Sequence, residues 1–103
     1  MYKLSYFVPP EAKEKTKKAL FHIGAGKFNN YEECSFEILG EGQFKPLNNA
    51  NPYIGSKNKI EYVKEYKVEM ICSDEIIKEA IQALKEAHPY EEVAYEVIKL
   101  ENF

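Results

Sequence analysis

The sequence predicts an α+β fold of βαββαβ order, with a four-stranded antiparallel sheet and two helices on one of its faces. Three observations carry this reading. The chain repeats itself; strand-like and helix-like periods alternate in each half; and a long Gly-, Asn- and Pro-rich stretch separates the halves. At an offset of 64 residues, Tyr2-Lys3-Leu4 recurs as Tyr66-Lys67-Val68, Phe7 as Ile71, Glu11 as Glu75 and Ala19-Leu20 as Ala83-Leu84. At an offset of 59, Tyr31-Glu32-Glu33-Cys34 matches Tyr90-Glu91-Glu92-Val93, and Phe36 and Ile38 match Tyr95 and Val97.

The elements follow in order. Tyr2, Leu4, Tyr6 and Val8 alternate with Lys3, Ser5 and Phe7, the period of a strand with one buried face. Pro9-Pro10-Glu11 opens the first helix, because proline loses nothing in the first turn and glutamate suits the positive helix start. Ala12, Thr16, Ala19, Leu20 and Ile23 form its apolar stripe, and Gly24 and Gly26 end it. A second strand is expected over residues 31–39, with Cys34, Phe36 and Ile38 on its core face. Residues 40–59 read as the long connection. Ile60, Tyr62, Tyr66, Val68, Met70 and Cys72 mark the third strand. Ser73 or Asp74 is expected to cap the next helix, whose stripe is Ile76, Ile77, Ala80, Ile81, Leu84 and Ala87. His88-Pro89 ends it, and residues 93–100 form the last strand. The order is the ferredoxin-like plan, expected to occupy residues 1–103 as one domain.

Composition excludes several roles. With 14 lysines and arginines against 17 acidic residues, the chain carries a net charge of −3. That is the wrong sign for generic nucleic-acid binding or for an anionic membrane. No apolar run approaches the ~20 residues that span a bilayer, and the start of the chain does not read as a signal peptide. A cytoplasmic location is therefore expected. Cys34 and Cys72 are expected to be reduced, unpaired and buried.

Five features invite chemistry, and each has a plainer reading. Gly24-Ala25-Gly26-Lys27 resembles an anion cradle, but it follows a helix where a phosphate loop precedes one, so a helix-ending turn explains it. His88-Pro89-Tyr90-Glu91-Glu92 places an imidazole beside two carboxylates. His88 and Glu91 are the candidate ligands of a divalent metal ion; alternatively His88 is a stabilising cation at a helix end. His22 lies near the end of the first helix and reads as a surface or capping residue. Cys34 as a nucleophile lacks an electropositive neighbour and reads as an inert thiol. Glu61, Lys64, Glu65 and Lys67 read as a solvated strand face or an edge between subunits.

Several of these segments together resemble a known domain. Asn30-Tyr31, Cys34-Ser35-Phe36, Gly40-Glu41-Gly42-Gln43-Phe44-Lys45-Pro46, Pro52-Tyr53-Ile54-Gly55, Glu61-Tyr62-Val63-Lys64-Glu65 and His88-Pro89-Tyr90-Glu91-Glu92-Val93-Ala94-Tyr95 occur in this order. They resemble the PII/CutA-like domain found in YqfO-type members of the Nif-three-like, dinuclear-metal hexameric family, and the resemblance spans nearly the whole chain. The flanking segments that carry that family's dinuclear metal are not in this sequence, so its hydrolase label is not expected to transfer. The family often has His and Gly where this chain has Lys27 and Asn29, and His where it has Glu33.

The resemblance implies a homo-oligomer, a trimer, with sites between subunits near the long hairpin. The function expected is a small oligomeric binding or regulatory module without a catalytic site of its own, which takes a metal ion, a small molecule or a protein partner. Its expected ligand residues are His88, Tyr90, Glu91, Glu92, Gly40, Gly42, Phe44 and Gly55. A purely structural assembly domain is the second reading. A small enzyme using Cys34 or His88, Glu91 and Glu92 is the third.

Overall fold

A computed structural model describes residues 1–103. Strand β1 (Tyr2–Val8) leads through a 3-10 turn (Pro10–Ala12) into α1 (Lys13–His22). Strands β2 (Phe36–Phe44) and β3 (Glu61–Cys72) form a long antiparallel hairpin, followed by α2 (Ile77–Ala87) and β4 (Tyr95–Lys99). The sheet order is β2-β3-β1-β4, with every pairing antiparallel. This is the βαββαβ plan that the repeat predicts. A shift of 64 carries the first residue of α1 onto the first of α2, and a shift of 59 carries Phe36 onto Tyr95.

The core lies between the sheet and both helices. Leu4, Tyr6 and Val8 of β1 and Val68, Met70 and Cys72 of β3 point to one side, where Ala12, Leu20, Ala80 and Leu84 close over them. One polar pair sits inside it. The Tyr6 hydroxyl meets Thr16 Oγ1 at 2.9 Å, while Thr16 donates to the Lys13 carbonyl. Burial pushes the Tyr6 phenol up to about 12. At the sheet margin Glu37 of β2 binds the ammonium groups of Lys13 and Lys17, tying the first turns of α1 to the edge strand. No helix is long and apolar enough to cross a membrane.

The structure corrects the sequence reading at four places. β2 begins at Phe36 and runs on to Phe44, so Gly40, Gly42 and Phe44 are strand residues, not loop residues. Phe36 pairs with Glu69 and Ile38 with Lys67, which sets both on the face away from the helices, and both are exposed. Cys34 lies before the strand and is half-buried, held by its N–H on the Gly26 carbonyl at 2.9 Å. Finally, no side chain caps α2; Asp74 takes the N-terminal ammonium instead.

The two thiols should therefore separate in a labelling experiment. Cys72 is buried, and burial pushes its thiol up. Cys34 is expected to react with a thiol reagent about tenfold faster than Cys72 in the native protein, because Cys72 is buried and its thiolate disfavoured while Cys34 is within reach of solvent. Equal rates, read by mass spectrometry after timed labelling, would contradict this placement.

Candidate functional site

A cleft of about 990 Å³ opens where the β2–β3 hairpin meets the α2–β4 corner. That is within the usual range for small-molecule sites, ~300–1,000 Å³. Residues from distant parts of the chain build it: Phe7 from the end of β1, Gly42 and Phe44 from β2, Tyr53 from the loop, Glu65 from β3, and Tyr90 and Glu91 from the corner.

Register explains how these residues meet. Phe7 is the apolar member of the outward row of β1, otherwise Lys3 and Ser5, so it faces away from the helices. Gly42 pairs with Val63, and Gly40 with Glu65. A Cβ added at Gly42 would lie 1.9 Å from Glu65 Oε1, so the glycine is what lets this carboxylate lie across β2. Tyr90 donates its hydroxyl to Glu65 Oε2 at 3.1 Å. Burial and the Glu65 charge hold the Tyr90 phenol far above its ordinary range, so it remains a donor. The Asn51 backbone N–H donates to Glu91 Oε2 at 3.0 Å, which pins the loop to the corner. The Tyr53 and Tyr90 rings lie 6.1 Å apart at 47°, forming one aromatic wall.

His88 stands behind this wall and not in the cleft. It is 6 % exposed. Its Nε2 lies 2.7 Å from the Phe7 carbonyl oxygen, and Nδ1 accepts the Tyr90 amide at 3.1 Å. These partners set the tautomer: Nε2 carries the proton and Nδ1 does not. Burial lowers its pKa below 6.5, partly offset by the carbonyl bond, so the ring is neutral at pH 7. The helix-end cation expected from sequence is therefore not formed.

The residues also fail to fit a divalent metal ion. Neither nitrogen of His88 is free, and one oxygen of Glu91 is taken by Asn51. Nowhere do three or more His, Cys, Asp and Glu side chains gather to hold a metal.

Of the ligand residues expected from sequence, the cleft brings together Gly42, Phe44, Tyr90, Glu91 and Glu92. Gly40 lines a smaller recess of about 190 Å³ beside it. Gly55 lies outside the wall; its φ of +93° turns the loop, and a Cβ added there would lie 3.3 Å from the Glu61 side chain. Phe7 and Glu65 were not among the expected ligands, and Tyr53 lies in the expected stretch from Gly40 to Gly55 without having been singled out. The signal for Phe7 was its break of the polar row; for Glu65 it was the facing glycine, visible only once the register is known. Cys34 and the turn at Gly24 and Gly26 take no part in the cleft.

The fold is that of a PII/CutA-like domain. CutA from Pyrococcus horikoshii aligns with the whole chain and 87% of its own, at a TM-score of 0.72 and 21% identity. The PII-like protein CutA from Nostoc gives 0.71 at 22% identity, over 99% of this chain and 83% of that one. At these identities the likeness is one of fold. In sequence the chain matches a CutA-like part of NIF3-related proteins called GTP cyclohydrolase 1 type 2 homologs. It is 40% identical to the Bacillus subtilis homolog over 99 residues, 96% of this chain and 26% of that protein. A Bacillus cereus protein related to NIF3 superposes with a TM-score of 0.85 at 38% identity, over 98% of this chain and 26% of that one. The chain thus spans about a quarter of the length of the relatives it matches. No family model matches it.

Proposed function

We propose that this chain is an oligomeric binding module that takes a small molecule in the cleft between hairpin and corner. The observation that carries the reading is the convergence of Gly42, Phe44, Tyr53, Glu65, Tyr90 and Glu91, from four separate segments, around one opening. Polar atoms there are already fixed by Tyr90–Glu65 and Asn51–Glu91, so a ligand meets a preformed site. No nucleophile paired with a base lines the cleft, and the reading assigns it binding, not catalysis.

Assembly is the second half of the proposal. Phe36, Ile38 and Ile98 lie exposed on the sheet face that the helices do not cover, and Tyr62 lies exposed farther along the hairpin. Isolated exposed apolar residues are ordinary, but Phe36 and Ile38 side by side on one edge strand, with Ile98 exposed on the other, favour association. A trimer, as in the PII and CutA proteins, would cover this face, to which Phe7, Gly42 and Glu65 of the cleft also belong, and would set the cleft beside a neighbouring subunit. The same exposed residues support a module that drives the assembly of larger proteins. A cytoplasmic setting accords with two unpaired thiols.

Two measurements test these halves. Light scattering at micromolar concentration is expected to give three times the mass of the chain; a stable monomer overturns the assembly reading. A thermal-shift screen with divalent metal salts, nucleotides and small amines is expected to find a stabilising compound. At a hundredfold excess over its dissociation constant the gain is about 2.7 kcal/mol. Gly42→Val suits an edge strand but pushes the Glu65 carboxylate off its seat, so the gain should vanish in that variant. A compound that stabilises both proteins equally binds elsewhere and refutes the cleft assignment.

A further inference from the structure

We infer that the cleft takes an organic cation, an ammonium-type head on an apolar body, seated against aromatic faces beside the carboxylates of Glu65 and Glu91. The inference rests on the cleft being a binding site and adds the class of ligand.

Charge is the first argument. Glu65, Glu91 and Glu92 line the cleft against one lysine, Lys45, with Lys67 in the recess beside it. The chain contains no arginine, so there is no guanidinium fork for a phosphate or carboxylate. The Gly24–Lys27 turn that could have cradled an anion lies outside the cleft. An anionic ligand would thus meet three carboxylates and one flexible ammonium.

Ring geometry is the second. Phe7, Phe44, Tyr53 and Tyr90 line the same space, and the Tyr53 and Tyr90 rings pack on each other, centroids 6.1 Å apart at 47°, as one aromatic patch. Aromatic faces attract cations, and clusters of aromatic rings recognise alkylated ammonium groups. The protein itself already sets cations on rings. Lys67 Nζ lies 5.9 Å from the Phe7 ring centroid, and Lys13 Nζ 4.2 Å from that of Tyr66.

The third argument is fixed charge. Glu65 holds one oxygen on the Tyr90 hydroxyl and Glu91 one on the Asn51 backbone N–H. Neither makes a salt bridge to a lysine. Both are oriented by neutral donors, which leaves their charge uncompensated within the chain. A cation entering the cleft supplies the missing counter-charge.

The test uses three probes on the isotopically labelled chain, followed by amide chemical shifts. Choline is the cation, 3,3-dimethylbutan-1-ol its neutral isostere, and ATP the anion. Choline is expected to shift the amides of Gly42, Phe44, Tyr53 and Glu91, with an affinity that falls as salt rises. The alcohol should bind about tenfold more weakly, the difference that a cation on aromatic faces is worth. Glu65→Gln should weaken choline severalfold and leave the rest of the spectrum unchanged. Equal affinity for choline and the alcohol overturns the cation and leaves the cleft as a site. ATP shifting these amides while choline does not has the same meaning. Choline binding that persists undiminished in Gly42→Val places it elsewhere and overturns both readings.

Discussion

His88→Ala is expected to cost about 3 kcal/mol of stability, read as a lower urea midpoint at pH 7.5 with an unchanged slope. The imidazole is 6 % exposed and bonded on both sides. Alanine would leave the Phe7 carbonyl and the Tyr90 amide without partners in a place water barely reaches. Each orphaned group costs roughly 1–3 kcal/mol, and the vacated volume adds to that. The ring also packs against Tyr6 and Tyr90, with centroids 6.5 and 4.8 Å away. A loss below about 1 kcal/mol would show that His88 is an ordinary helix-end residue.

The same histidine predicts a pH dependence. In the unfolded chain the imidazole takes a proton near pH 6.5; in the fold, burial lowers that value. Protonation would also turn Nδ1 from acceptor to donor against the Tyr90 amide. Between the two values the unfolded state binds more protons, so this contribution is complete above pH 6.5 and falls away as the pH drops below it. The carboxylates of Glu37 and Glu69, held below 4.5 by Lys13 and Lys3, lose their contribution only at lower pH. Urea titrations at pH 7.5 and 5.5 should show the difference in the native protein and little of it in His88→Ala.

Gly26→Ala is the second large effect, expected to cost about 3 kcal/mol. Gly26 has φ of +79°, a region that costs other residues ~1–2 kcal/mol. A Cβ there would lie 2.9 Å from the Cys34 carbonyl oxygen and 3.0 Å from the Phe21 ring. Relieving such crowding costs a further ~1–3 kcal/mol. The backbone has no room to yield, because the Gly26 amide donates to Ile71 at 2.8 Å and its carbonyl accepts from Cys34. The turn that looked like an anion cradle is therefore a clasp between the end of α1, the chain before β2 and the end of β3. Thermal unfolding of the variant checks this, and an unchanged midpoint would remove the clasp.

Most of the architecture was legible because two signals agreed. The repeat placed the helices, and the alternation of Leu4, Tyr6 and Val8 with Val68, Met70 and Cys72 set the parity of the core. The second strand was misread because its period is real but points the other way. Phe36 and Ile38 do alternate, on the uncovered face, and sequence alone cannot say which face a helix will cover. Gly40 and Gly42 looked like the start of a loop, since glycine usually interrupts strands. In the structure Gly42 is a gap under a crossing carboxylate, a cause visible only across strands.

For the cleft, two of the contributing segments, the corner and the stretch from Gly40 to Gly55, could be named from residue types and position, and the parts from β1 and β3 could not. Nor could the division of labour within the named segments. His88 stood out as the histidine without a counterpart in the first half, and it does hold a distinctive place. Its partners are backbone groups of residues 7 and 90, which no spacing rule reveals.

One contact at the margin of the sheet has a wider consequence. The Leu100 amide donates to the Met1 carbonyl at 3.0 Å, because β1 and β4 are antiparallel neighbours. The path into the domain and the path out of it therefore run side by side, one strand spacing apart. A host protein can accept such a unit within a surface loop without prising its own ends asunder. The graft changes the loop's cargo and leaves the host's fold intact. Geometry of this kind makes the domain portable, which suits a sequence that recurs as about a quarter of much longer chains.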